Sequence, residues 1–79
     1  MDYDPDKVDD AVLALLFLTV SRDKYGTRAW KGHDWDALDR LHAKGDIGDP
    51  KNKALSLVVT EEGRACAEAL FYSLFGKGD

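Results

Sequence analysis

The sequence predicts an α+β domain that is mainly helical and contains one small β element. Three stretches carry apolar residues at helical spacing, and one stretch carries the alternating pattern of a half-buried strand. The predicted order is helix, loop or short strand, helix, strand, helix. The chain of 79 residues fits one domain, residues 1–79, and a chain of this size buries only about 60% of its unfolded surface. We therefore expect a thin core.

The first helix is predicted to begin after Asp4, because Asp4 suits the N-cap and Pro5 suits the first helical position. The acidic residues between 2 and 10 are interpreted as a solvated cap on the positive helix end. Periodicity extends the helix to about residue 21. Two apolar stripes run along this helix. Val8, Ala11, Val12 and Leu15 form one, and Leu13, Leu16, Phe17 and Val20 form the other. Such a helix needs cover on most sides.

Residues 22–32 are polar and contain two glycines, which predicts a loop with one possible short strand at residues 28–30. Asp34 is predicted to cap a second helix over residues 35–44. The stripe of Trp35, Leu38 and Leu41 is expected to face the core. Asp36 and Arg40 lie four residues apart and are interpreted as a surface ion pair.

The second helix is predicted to end at Gly45, and residues 48–53 form a turn around Pro50. Residues 54–60 alternate between apolar and polar side chains and predict a strand. Thr60 is expected to cap a last helix that stops at Gly76. Its predicted buried stripe is Gly63, Ala67, Leu70, Phe71 and Leu74.

Residues 34–75 resemble the winged-helix regulators, in which a recognition helix ends at a Lys-Gly stop and a β wing precedes the closing helix. The resemblance rests on Lys44-Gly45 and on the sequence Thr-Glu-Glu-Gly at residues 60–63. It implies a winged-helix-like fold and a DNA-binding transcriptional regulator. Asp46 departs from the family, which carries an apolar residue there. Residues 6–9, 11–16, 28–32, 34–42 and 60–63 are also similar to a family of small bacterial proteins of unknown function, which implies no activity.

The net charge of −4 and the isoelectric point near 5.0 disfavour a broad nucleic-acid surface. On the candidate recognition helix, Asp36 and Asp39 would be repelled by phosphate. If the protein does bind nucleic acid, the contacts are predicted to come from four basic residues. They are Arg40, Lys44, Lys51 and Lys53.

The sequence predicts no catalytic, cofactor-binding or metal-binding residues. Cys66 lies among small residues of the last helix and is expected to pack there as a small hydrophobe. The spacing of His33, Asp36, Asp39 and His42 does not bring three metal ligands to one helix face. The apolar run of residues 11–20 is shorter than the roughly 20 residues that span a bilayer. With one cysteine and an acidic N-terminus, the chain is predicted to be cytoplasmic and not membrane-bound.

The predicted function is a non-enzymatic protein-interaction module with a regulatory role, binding itself as a homodimer or binding another protein. The predicted partner surface consists of Leu13, Leu16, Phe17, Val20 and Trp30. A winged-helix transcriptional regulator is the alternative. A further alternative is a small acidic phage-type inhibitor, such as an anti-CRISPR protein, which presents carboxylates where phosphates would bind. These alternatives remain open from the sequence alone.

Overall fold

The computed structural model describes residues 2–23, 26–51 and 56–77. The elements are α1 (Pro5–Leu18), β1 (Ser21–Asp23), β2 (Gly26–Trp30), α2 (Trp35–Ala43), β3 (Ser56–Val58) and α3 (Glu61–Phe75). The predicted α+β class and the order of the helices are confirmed. The segment between α1 and α2 forms two strands. Among the described residues, no helix combines the length and the apolar character needed to cross a membrane.

Each helix begins at the side chain predicted to cap it. The Asp4 carboxylate accepts a hydrogen bond from the Asp6 N–H at 3.0 Å, and the Asp34 carboxylate accepts one from the Ala37 N–H at 3.1 Å. The Thr60 hydroxyl accepts one from the Gly63 N–H at 3.0 Å. Helix α1 ends at Leu18, before the predicted residue 21, because the chain enters β1 at Ser21.

The sheet is antiparallel, with the strand order β1-β2-β3. Ser21 pairs with Arg28 across the first two strands, and Arg28 pairs with Val58 across the second two. On the other side of β3, Ile47 forms a bridge with Val59, and the Gly48 N–H donates to the Val58 carbonyl at 2.9 Å. Residues 47–48 and 58–59 therefore lie side by side, at the two ends of the segment where the winged-helix resemblance implies a wing.

The strand predicted over residues 54–60 is confirmed in its described part, since Leu57 and Val59 are buried and Val58 is exposed. Leu55 lies outside the described residues. The side chains of Thr27, Ala29 and Leu57 point towards the helices, whereas the opposite face of the sheet carries partly or largely exposed side chains. The fold is thus a helical layer on one face of a small sheet.

The core contains fewer of the predicted residues than the stripes suggested. Leu38, Leu41, Gly63 and Ala67 are buried as predicted. Trp35 and Leu74 are about half exposed, so their predicted core positions are wrong. Trp35 is the first residue of α2, and Leu74 lies in the last turn of α3, beyond that helix's buried positions at Gly63 and Ala67. Helical spacing identifies a face of a helix, but it does not show how far along the helix its neighbours reach.

Candidate functional site

A fully buried carboxylate joins α1 to α2. Asp9 has no exposed surface, and its oxygens accept hydrogen bonds from Arg40 Nε at 2.8 Å and from Lys44 Nζ at 2.9 Å. A second nitrogen of Arg40, Nη2, lies 2.8 Å from Asp9 Oδ1. The hydrogen bond to Asp9 raises the pKa of Lys44 and that of Arg40 above their ordinary values, although partial desolvation acts in the opposite direction. Arg40 of α2 and Lys44, the C-cap of that helix, thus neutralise one buried anion on α1.

This network corrects two interpretations. Asp9 does not belong to a solvated cap, and Arg40 pairs with Asp9 on another helix instead of with Asp36. The spacing of α1 contained a signal for the first correction, because Asp9 precedes Val12 by three residues and Leu16 by seven. That spacing places the carboxylate on the same helix face as two core residues.

The four candidate nucleic-acid contacts do not form one free basic surface. The charges of Arg40 and Lys44 are engaged by Asp9. Lys51 is exposed in the turn after Pro50, and its backbone N–H donates to the Asp49 carboxylate at 2.9 Å. Lys53 lies outside the described residues.

The predicted partner surface is divided among three places. Leu13 and Leu16 are 2% and 1% exposed in the core, so they cannot contact a partner in this fold. Phe17 and Val20 are half-buried, and Trp30 is exposed on the outer face of the sheet. The rest of the chain therefore covers residues of both α1 stripes, since Val12 of the other stripe is buried in the core together with Leu13 and Leu16. Leu15, which belongs to the other stripe, is 37% exposed.

Large apolar side chains remain exposed on α1 and α3. We call four of them the helical apolar surface: Leu15, Leu18, Tyr72 and Phe75. The two helices meet through aromatic rings, since the Phe17 centroid lies 5.4 Å from that of Phe71 and 6.0 Å from that of Tyr72. The Phe71 ring also contacts Phe75, at 5.7 Å between centroids. Tyr72 and Phe75 of this surface therefore belong to a cluster of packed aromatic rings.

The residues considered for catalysis or metal binding are not assembled into a site. His42 Nδ1 lies 3.1 Å from the Ile47 carbonyl oxygen, and partial burial lowers the pKa of His33. Within residues 2–23, 26–51 and 56–77, no group of three His, Cys, Asp or Glu side chains could hold a metal ion. Cys66 is exposed, so its predicted packing in the core is wrong. Its position on α3 is at the edge of the buried face, three residues after Gly63 and one before Ala67.

Because Cys66 is exposed, we expect its replacement by Ala to change the free energy of unfolding by less than about 0.5 kcal/mol, as for other surface substitutions. Urea denaturation followed by circular dichroism measures this change. A matched Ala67→Ser substitution, at a buried position one residue further along the same helix, should destabilise the protein measurably. A loss of more than about 1 kcal/mol in Cys66→Ala would contradict the exposed position of the thiol.

Comparison with known proteins places the chain in a family. A family model described as a domain of unknown function, DUF6429, matches residues 4–77, so the chain belongs to this family. The chain is 55% identical over 75 residues to a protein called "Uncharacterized protein y4hR" from Sinorhizobium fredii (strain NBRC 101917 / NGR234). That similarity covers 95% of this chain and 97% of the relative. No solved structure matches the chain. The predicted resemblance to a small bacterial family of unknown function is confirmed.

Proposed function

We propose that this member of the family is a non-enzymatic protein-interaction module that forms a homodimer through the helical apolar surface. One observation carries the proposal: four large apolar side chains on two packed helices each expose between 37% and 63% of their surface. Exposed apolar groups of this kind on a soluble domain are typical of interaction sites. Tyr and Phe are also enriched in protein interfaces relative to other surfaces.

A second copy of the same chain is the occupant that we propose for this surface. In a two-fold dimer the same surface of both copies forms the interface, so the apolar side chains of each protomer are covered by those of the other. A thin core also gains from this arrangement, because apolar area removed from water contributes about 25 cal/mol per Å² before the costs of association.

Sedimentation equilibrium tests the dimer. We expect the wild type to show twice the mass of the 8.8 kDa chain, and Leu18→Glu to weaken dimerisation by at least about tenfold, because it places a charge in an apolar interface. Leu18 is 63% exposed, so this substitution does not disturb the core. Val58→Glu is the matched control, since Val58 is 44% exposed on the sheet and lies outside the helical apolar surface.

A wild type that remains a monomer at high micromolar concentration would contradict the dimer. If Leu18→Glu and Val58→Glu weakened dimerisation equally, the proposed location of the interface on the helical apolar surface would be contradicted.

The DNA-binding alternative has less support than the interaction module. Phosphate contacts need free cations, and Asp9 engages two of the four predicted ones. The inhibitor alternative keeps one supporting observation, because Asp2, Asp4, Asp6 and Asp10 are all exposed around the start of α1. An acidic end of this kind would suit a basic nucleic-acid-binding groove on a partner protein.

A further inference from the structure

The outer face of the sheet contains a depression that the dimer does not use. Arg28 and Trp30 alternate with buried residues along β2, and their register places Ser21, Ser56 and Val58 beside them. The depression has a volume of about 250 Å³ and is lined by Thr19, Ser21, Arg28, Ala29, Trp30 and Ser56. The helices pack on the opposite face of the sheet, so this site is independent of the proposed function.

Arg28 differs from the other arginines of the chain. Arg22, Arg40 and Arg64 each pair with a carboxylate, whereas within the described part of the chain Arg28 has no such partner. Its guanidinium is half-buried and is held by Ser56, with Nε donating to the hydroxyl at 2.7 Å and Nη2 donating to the carbonyl at 2.8 Å. A guanidinium has five N–H donors, so further donors remain in a fixed position. Such a group suits a phosphate or carboxylate.

Trp30 supplies a planar apolar surface next to this cation. Its side chain is 54% exposed. One side of the indole lies over Gly32, where an added Cβ would overlap the ring, and the His33 ring contacts it at 5.9 Å between centroids. The ring is thus supported from the loop between β2 and α2. Indole rings fixed in this way on an open sheet are suitable platforms for stacking a nucleobase.

We propose that this depression binds a nucleotide, with the base on Trp30 and the phosphate at Arg28. Arg28 and Trp30 are two positions apart on one face of the strand, which places them about 7 Å apart, a distance that a base and its phosphate can span. The Thr19 hydroxyl accepts a hydrogen bond from the backbone N–H of Trp30 at 3.0 Å, and Ser21 adds a polar side chain to the lining of the depression. The nucleotide can be a free mononucleotide or one unit of a single strand.

The charge distribution favours a short ligand over a long duplex. The chain has a net charge of −4, so an extended phosphate backbone would be repelled outside the depression. Lys31 cannot be counted as a free cation at this site, because its ammonium donates to the Pro50 carbonyl at 3.1 Å and lies 5.8 Å from the Trp35 ring centroid. Arg28 is therefore the group on which phosphate recognition depends.

Fluorescence titration of Trp35→Phe tests the proposal, because Trp30 is then the one tryptophan in the chain. AMP should quench Trp30 saturably, and Arg28→Gln should weaken AMP binding by about tenfold or more. Adenosine, which lacks the phosphate, should bind more weakly than AMP and equally to both forms. Arg22→Gln is the matched control, since it removes the same charge from the neighbouring strand without altering the depression.

The wild type provides a second readout through the NMR shift of the Trp30 indole N–H, which needs no substitution. A twelve-nucleotide oligoadenylate shows whether the site binds a free nucleotide or one unit of a single strand. Affinity well above that of AMP assigns the site to single strands, and similar affinity assigns it to the free nucleotide. The proposal is overturned if neither ligand shifts or quenches Trp30, or if Arg28→Gln binds AMP as tightly as its parent. It is also overturned if an acidic peptide binds as tightly as AMP, which would assign Arg28 to a protein carboxylate.

Discussion

Replacing Asp9 with Ala is expected to lower the free energy of unfolding by about 1.5–3 kcal/mol, the range for hydrogen bonds to charged groups. Asp9 has no exposed surface and accepts hydrogen bonds from both Arg40 and Lys44. The two cations are 31% and 42% exposed and regain water when Asp9 is removed, and Lys44 also keeps Asp6 at 3.6 Å. Small domains have a total stability of about 5–15 kcal/mol, so the expected loss is a substantial fraction of it. Urea denaturation followed by circular dichroism measures the loss.

Asp10→Ala is the matched control for this experiment. Asp10 is the next residue of α1, carries the same charge and is exposed. Its replacement should change the free energy of unfolding by less than about 0.5 kcal/mol, because exposed charge pairs contribute little. If the two variants were equally stable, the buried network would not hold α1 to α2.

Gly63→Ala is the second substitution with a large expected effect, and the direction of the effect is informative. Inside an ordinary helix, replacing Gly with Ala stabilises by about 1 kcal/mol. At Gly63 an added Cβ would overlap the carbonyl oxygen of Asp46, in the turn that follows α2. Because that atom belongs to the backbone, the turn or the helix must move. We expect a loss of about 1–3 kcal/mol, as for other overpacked sites.

Thermal unfolding measures this effect, since a change of 1 kcal/mol shifts the Tm of a domain of this size by roughly 4–8 °C. Ser73→Ala, at an exposed position of the same helix, is the control and should raise the Tm slightly. A Tm of Gly63→Ala equal to or above that of the wild type would contradict the close approach of α3 to the turn at Asp46.

The sequence predicted where each helix begins better than it predicted which residues the helix packs against. Asp4, Asp34 and Thr60 cap their helices as predicted, because capping depends on residues that are close in sequence. Gly45 adopts a φ of 85°, as expected for the stop after α2. The strand β1 was missed because its sequence, Ser-Arg-Asp, lacks the apolar alternation that identifies a strand.

The candidate sites depended on contacts between distant parts of the chain. Asp9 and Arg40 are 31 residues apart in sequence, and local spacing instead favoured a pair between Asp36 and Arg40. For α1, periodicity identified two apolar stripes but could not show that the rest of the chain would cover part of each, Val12 in one and Leu13 and Leu16 in the other. Trp30 was predicted to contact a partner together with Leu13 and Leu16, yet it lies on the outer face of the sheet while they lie in the core.

An NMR dilution series on the isotopically labelled wild type tests the central claim, that the protein associates with itself through α1 and α3. Between about 1 mM and 10 μM, a range that brackets a dimer of micromolar affinity, we expect the amide resonances of residues 15–18 and 71–75 to shift. The resonances of β1, β2 and β3 should stay in place. Spectra that do not change over this range, together with the diffusion coefficient of an 8.8 kDa monomer, would contradict the claim.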